Sequence, residues 1–238
     1  MKKIILLLLL LAVNYNSFAV SKEDKERESS YLLQIKNEND SDAMFDLGLL
    51  YDEQEKYDLA EKYYLMAVKY NNGSAMTNLG LIYENQKKYD LAEKYYLMAV
   101  EEESDTGMYN LGLLYDNQKK YTLAEKYYLM AIQNNYSDAM YNLALLYDNQ
   151  EKFSLAEKYY LMAIKENDSD AMYNLALIYD NQKKYPLAEK YYLMAVEAND
   201  SDAAFNLALL YDNQKKYNLA EKYYLIAVKD NSTRLCTI

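Results

Sequence analysis

One tyrosine returns every 32 residues without a slip, at Tyr51, Tyr83, Tyr115, Tyr147, Tyr179 and Tyr211. Around each copy runs nearly the same phrase, as in Asn142-Leu143-Ala144-Leu145-Leu146-Tyr147-Asp148-Asn149-Gln150. Leu-Ala-Glu-Lys-Tyr-Tyr follows at 59–64, 91–96, 123–128, 155–160, 187–192 and 219–224. A fixed period of this size means tandem supersecondary units, each leaning on its neighbours, and not one closed core. The 51% hydrophobic content excludes a disordered chain.

Six units fit end to end: 41–72, 73–104, 105–136, 137–168, 169–200 and 201–232. Within a unit, small or apolar residues stand at positions 3, 4, 7, 8 and 11. In the fourth unit these are Ala139, Met140, Leu143, Ala144 and Tyr147. That spacing is one face of a helix. It predicts a helix A over about positions 2–14, with Ser137 as N-cap and Asp138 in the first turn. Helix B is expected to be capped at position 18: Asp58, Asp90, Thr122, Ser154, Pro186 or Asn218. Three residues on stands a Glu in every unit (Glu61, Glu93, Glu125, Glu157, Glu189, Glu221), so five of the six pairs read as capping boxes. Pro186 suits a helix entry instead. Ala156, Tyr160, Ala163 and Ile164 form helix B's inward stripe, and aromatic positions 11, 17 and 24 are assigned to the core. Position 8 is Gly48, Gly80, Gly112, Ala144, Ala176 or Ala208, and position 20 is always Ala. These small residues let two helices approach while large rings fill the space beside them.

Leu143, Ala144, Tyr147, Phe153, Ala156, Tyr160 and Ala163 resemble the tetratricopeptide signature in identity and spacing. The pair Tyr159-Tyr160, the small residues starting at Ala163 and the following Asp170-Ala171 resemble a Sel1-like repeat equally. The resemblance covers 41–232 and implies an all-α, right-handed α-solenoid of stacked helix-turn-helix repeats. Two departures stand out. The A-to-B turn carries Glu55 or Lys87 where the family often has Gly. Asp168 or Asp200 replaces the Pro that usually closes a tetratricopeptide unit.

Outside the repeats, residues 1–19 have the three parts of a secretory signal peptide: Lys2 and Lys3, the apolar run Ile4 to Val13, and Ser17-Phe18-Ala19 as cleavage site. Ten apolar residues fall short of the roughly 20 that span a bilayer. A periplasmic or secreted protein is therefore expected, with no transmembrane segment after cleavage. Losing the two leader lysines takes the net charge from −11 to −13. Residues 20–40 read as a polar N-terminal capping helix and 233–238 as a C-terminal tail. The single Cys, Cys236, leaves no internal disulfide.

Little chemistry is available. The chain has no His, so Ser-His-Asp and Cys-His catalysis and His-based zinc sites are excluded. No Gly-rich phosphate loop occurs. The Asn-Asp-Ser-Asp runs at 167–170 and 199–202 lack the rest of a calcium loop and read as caps for the next helix A. A pI near 4.7 argues against nucleic acid. Neither a metal nor a cofactor is expected, and the chain reads as a non-catalytic protein-interaction scaffold. The resemblance implies a concave groove lined by positions 2, 5, 9, 12 and 13 of helix A. The expected partner-binding residues are Phe45, Leu49, Asp52, Tyr109, Asn110, Leu113, Asp116, Tyr141, Asn142, Leu145, Asp148, Tyr173, Asn174, Leu177 and Asp180. Aromatic and aliphatic anchors between carboxylates suit a basic or repetitive peptide, while position 6 Asn offers bonds to a peptide backbone. Position 5 packing on the neighbouring helix is an equal reading. Self-assembly through the C-terminal end is a structural alternative. Sel1-like proteins linked to penicillin binding supply an enzymatic one, although their disulfide-paired repeats are missing here.

Overall fold

The computed structural model describes residues 21–235. The signal peptide expected at 1–19 and Cys236 lie outside them. Among the described residues there are thirteen helices and no strand: α1 (Lys22–Glu38), α2 (Ser41–Glu53), α3 (Tyr57–Val68), α4 (Gly73–Asn85), α5 (Tyr89–Glu101), α6 (Asp105–Asn117), α7 (Tyr121–Gln133), α8 (Asp138–Asn149), α9 (Phe153–Lys165), α10 (Ser169–Asn181), α11 (Tyr185–Glu197), α12 (Ser201–Asn213) and α13 (Tyr217–Leu235). The chain divides into two compact units, residues 1–110 and 111–238. In the first, α2–α3 and α4–α5 are antiparallel hairpins, α1 packs on α2, and α3 packs on α4. In the second, α8–α9, α10–α11 and α12–α13 are the hairpins, joined by α7 on α8, α9 on α10 and α11 on α12.

The 32-residue period is two halves of sixteen. A non-glycine residue with positive φ recurs at Asn39, Glu55, Asn71, Lys87, Glu103, Lys119, Asn135, Glu151, Asn167, Lys183, Asn199 and Lys215, with φ between 50° and 66°. From Glu55 onward each closes a Schellman motif, whereas Asn39 N–H returns to the Ile35 carbonyl at 3.1 Å. After α2, Glu55 N–H donates to the Asp52 carbonyl and Lys56 N–H to the Tyr51 carbonyl, both at 2.8 Å. After α9, Asn167 N–H donates to Ile164 at 3.0 Å and Asp168 N–H to Ala163 at 3.2 Å. Holding an L-residue there costs about 1–2 kcal/mol. Satisfying two carbonyls that the helix end leaves open offsets this. The residue that closes one helix also opens the next, so no linker is needed. This economy makes the unit two residues shorter than the 34 of a standard tetratricopeptide.

That joint overturns the expected capping boxes. Helix B begins at position 17, not after 18. Its N-cap is Lys56, Lys88, Lys120, Lys152 or Lys184, none with a side-chain cap bond. The Lys56 carbonyl takes the Leu59 and Ala60 N–H groups, each at 3.0 Å. Asp58 therefore sits inside the first turn, and Pro186 lies in the first turn too. Helix A is capped one residue earlier than expected. Asp168 Oδ1 accepts from Ala171 N–H at 2.8 Å and Asp200 Oδ1 from Ala203 N–H at 2.9 Å. In the fourth repeat that place holds Tyr136, which has no short acceptor to offer. There the helix starts at Asp138, and Ser137 makes no cap bond.

The interior follows the expected columns. Leu143, Ala144, Tyr147, Ala156, Tyr160 and Ala163 are buried, as are their counterparts along the chain except Tyr224, which is half-buried. A Cβ on Gly48 would stand 2.5 Å from the Tyr64 ring, so the backbone there packs directly on an aromatic face. Position 10 joins this core, with Leu50, Leu146, Ile178 and Leu210 all buried. Leu161 and Met162 are half-buried. The last helix runs to Leu235, past the boundary expected at 232.

Candidate partner-binding surface

The tyrosine columns divide into three kinds of job. Position 11 stacks on position 23 within each hairpin. The Tyr51 and Tyr63 centroids are 5.5 Å apart, with Lys56 over one ring and Lys62 over the other. The Lys-Tyr-Tyr-Lys stack recurs in all six repeats; Tyr147 and Tyr159 lie 5.7 Å apart under Lys152 and Lys158. Each ring pair contributes about 0.5–1.5 kcal/mol beyond its burial. The position 11 hydroxyl also reaches across to the preceding repeat. Tyr83 Oη donates to Glu61 Oε1 at 2.6 Å, and Tyr211 Oη to Glu189 Oε1 at 2.9 Å. Glu125 and Glu157 face Tyr147 and Tyr179 from the preceding repeat and, after burial, help raise those phenols. The column assigned to capping boxes thus clamps one hairpin to the next. Burial, then this carboxylate, holds these phenols well above their ordinary pKa.

Position 24 is buried beside the position 12 carboxylate. Tyr96 Oη donates to Glu84 Oε2 at 2.8 Å. Asp148 and Asp180 are one methylene shorter. They face Tyr160 and Tyr192 closely enough to be pulled down by the phenol, yet those hydroxyls meet no protein group in regular hydrogen-bond geometry. Burial outweighs the phenol and leaves Asp116, Asp148 and Asp180 above the usual carboxylate range.

Position 5 is occupied by the fold. The Tyr141 ring lies 6.1 Å from Tyr160, and its hydroxyl accepts from Asn174 Nδ2 at 3.0 Å. Tyr173 is held by Tyr192 and Asn206 in the same way. Asn174 is therefore engaged by the previous hairpin and not presented to a peptide backbone. Phe45 tilts on Tyr64, 5.8 Å away. Leu49, Asp52, Tyr109, Asn110, Leu113, Asn142, Leu145 and Leu177 are half-buried along their helices; Asn142 Nδ2 donates to the Asp138 carbonyl at 3.2 Å.

The accessible concavity of the first unit lies one step along. A cavity of about 480 Å³ is lined by Asp52, Tyr57, Asn78, Leu81, Ile82, Asn85 and Gln86. Asp52 belongs to the expected set, and Leu81 and Asn85 stand in its position 9 and 13 columns. Tyr57 does not: position 17 was assigned to the core. Instead Tyr57, Tyr89, Tyr121, Phe153, Tyr185 and Tyr217 are all exposed, by 41–62%. The reason is the start of helix B. A helical side chain leans toward the N-terminus, and at the first residue there is only the turn to lean over. The signal that could have found it is Leu at position 19, a second exposed apolar column beside the first. The cavity holds one carboxylate, three side-chain amides and no Lys or Arg. No helix among the described residues is long and apolar enough to cross a membrane.

The tetratricopeptide repeat profile matches residues 45–107 and 141–203, and a second profile of the same description matches 105–136 and 201–229. No curated protein matches the sequence. Among solved structures the chain is similar to c5321, a protective antigen of uropathogenic Escherichia coli displaying an SLR fold. The TM-score is 0.70 at 18% identity, over 87% of this chain and 54% of that one. It is similar to a Sel1 repeat protein from Oxalobacter formigenes, with TM-score 0.66 at 22% identity over 86% and 95% of the two chains. Pseudomonas aeruginosa pilF gives TM-score 0.65 at 19% identity, over 86% and 91%. This chain spans about half the length of the first of these. At such identities the likeness is one of fold.

Proposed function

Because the chain belongs to the tetratricopeptide-repeat family, whose repeats typically form non-catalytic scaffolds for protein–protein interaction, we propose that it is an exported scaffold that docks an extended, basic segment of a partner protein. The observation that carries this is the cavity of the first unit. It offers an exposed aromatic face, two aliphatic side chains, a carboxylate and three amides, with no cation to repel a Lys or Arg. A basic side chain packs its methylenes on Tyr57 and Leu81 and brings its charge to Asp52, while the amides meet the partner's backbone. Position 17 aromatics recur in every repeat, so a repetitive partner gains avidity. Export rests on the leader at 1–19.

Two measurements test it. Fluorescence anisotropy with labelled extended peptides of equal length, one rich in Lys and Leu and one in Glu and Leu, should show binding of the basic peptide only. Tyr57→Ser and Asp52→Asn should each weaken it several-fold without loss of helicity. Equal binding of both peptides, or of neither, contradicts the reading. For export, fractionation followed by N-terminal sequencing should find a chain beginning at Val20 outside the cytoplasm; a full-length cytoplasmic chain would reject it.

A further inference from the structure

We propose that a second copy of this chain docks its α12–α13 hairpin on α2, displacing α1, so that copies stack head to tail. The outer face of α12–α13 is the first observation. In α9 and α11, Leu161, Ile164, Leu193 and Val196 are half-buried, because the next hairpin lies against them. In α13 the same columns hold Leu225 and Val228, 63% and 65% exposed. Tyr192 is fully buried, whereas its counterpart Tyr224 is only half-buried, and Phe205 is exposed beside it. This face is half of a repeat junction.

The second observation is at α2, which carries the other half. Within each unit a junction closes a position 11 phenol on the preceding repeat's Glu, Tyr83 on Glu61 in the first and Tyr211 on Glu189 in the second. The free half-junction of α13 presents that Glu as Glu221, exposed. The matching phenol on α2 is Tyr51, now held by Glu28 of α1 at 2.7 Å. A second pair fits as well. Beside Phe45, which brings no hydroxyl to position 5, the next repeat's position 6 Asn78 donates its Nδ2 to the position 24 hydroxyl of Tyr64 at 3.2 Å. In the copy-to-copy junction these places hold Phe205, Tyr224 and Asp46, a phenol that donates to a carboxylate.

The third observation is the weakness of the present occupant. Helix α1 buries no residue. Its polar ties to α2 are the Glu28 bond and an exposed Arg27–Glu53 pair at 3.6 Å, and such pairs contribute little. The hairpin α12–α13 offers Leu225, Val228, Phe205 and Tyr224 for the same site, with more apolar area to bury. Helix α1 then acts as a competitor that lowers the apparent affinity between copies. A contact joining two different faces can repeat from copy to copy, building open stacks or, where the rotation closes, rings.

Sedimentation velocity of residues 20–238 across a wide concentration range tests this. The average mass should rise with concentration. Leu225→Glu with Val228→Glu, both at exposed sites, should leave a folded monomer, and Glu221→Lys should weaken association on its own. Deleting residues 21–38 should lower the association midpoint about tenfold or more. Small amounts of the Leu225→Glu/Val228→Glu chain should shorten wild-type stacks, because it still accepts a neighbour on α2 but offers none. A monomer at every concentration, with or without α1, overturns the proposal. So does association that survives the α13 substitutions, or a double variant inert in mixtures, which would mean two identical faces meeting.

Discussion

Removing one hydroxyl should loosen the grip of one hairpin on the next. Tyr83 Oη donates to Glu61 Oε1 at 2.6 Å, and Tyr83 is 7% exposed, so Tyr83→Phe deletes a charge-assisted bond without opening a cavity. Hydrogen bonds to charged groups contribute about 1.5–3 kcal/mol. Glu61 is half-buried and regains water when its donor is lost. The cost should therefore fall at the low end, about 1.5 kcal/mol, which shifts a urea midpoint by roughly 0.5–1 M. Glu61→Gln should cost less alone, and the double variant should reveal a coupling of about 1 kcal/mol. Tyr57→Phe is the control: that ring is exposed and bonds to no partner repeat, so the change should stay within about 0.5 kcal/mol. If Tyr83→Phe costs no more than Tyr57→Phe, or the coupling is zero, the clamp assigned to the Glu column does not hold repeats together.

Asp168→Ala removes the acceptor for Ala171 N–H and should cost about 1 kcal/mol in denaturant unfolding, whereas Asp58→Ala, inside a first turn, should cost a few tenths. Asp148→Glu supplies the methylene that lets Glu84 meet Tyr96, and should stabilise by about 1 kcal/mol; a loss of stability would mean the Tyr160 hydroxyl is already satisfied. Alkali should unfold the chain steeply. Buried Tyr64 is pushed up to about 12, chiefly by burial, while an unfolded tyrosine titrates near 10. The unfolded state thus loses its proton first, so stability holds below pH 10 and falls between 10 and 12, by at most about 1.4 kcal/mol per pH unit for each such group. Far-UV circular dichroism across that window checks it, and an unchanged melting temperature from pH 9 to 11.5 would be contrary.

The parts of this fold visible in the sequence are those set by periodicity. Small residues at positions 8 and 20 and rings at 11 and 24 fix helix contacts by volume, and they fall where spacing places them. What was not visible depends on backbone geometry that no column names. Glu55 and Lys87 adopt positive φ although neither residue type favours it, because the joint requires it. The helix start moved with the joint, turning Asp58 from cap to first-turn residue and Tyr57 from core to surface. Glu61 misled for a related reason. Ser/Thr/Asp followed three residues later by Glu is a local pattern with a local meaning, yet its partner is a phenol 22 residues away. The site was half legible for the same cause: Asp52 and the columns of Leu81 and Asn85 were found, whereas Tyr57, Ile82 and Gln86 needed the register of the turn.

Excising residues 169–200 from the gene is the direct test of tandem, interchangeable hairpins. Asp168 would then cap α12, and Glu157 would meet Tyr211. Circular dichroism with urea unfolding should show unchanged ellipticity per residue and a cooperative transition at a lower midpoint, while excision of 31 or 33 residues should destroy both. A chain that unfolds after loss of a whole repeat, or tolerates all three deletions alike, would contradict the account.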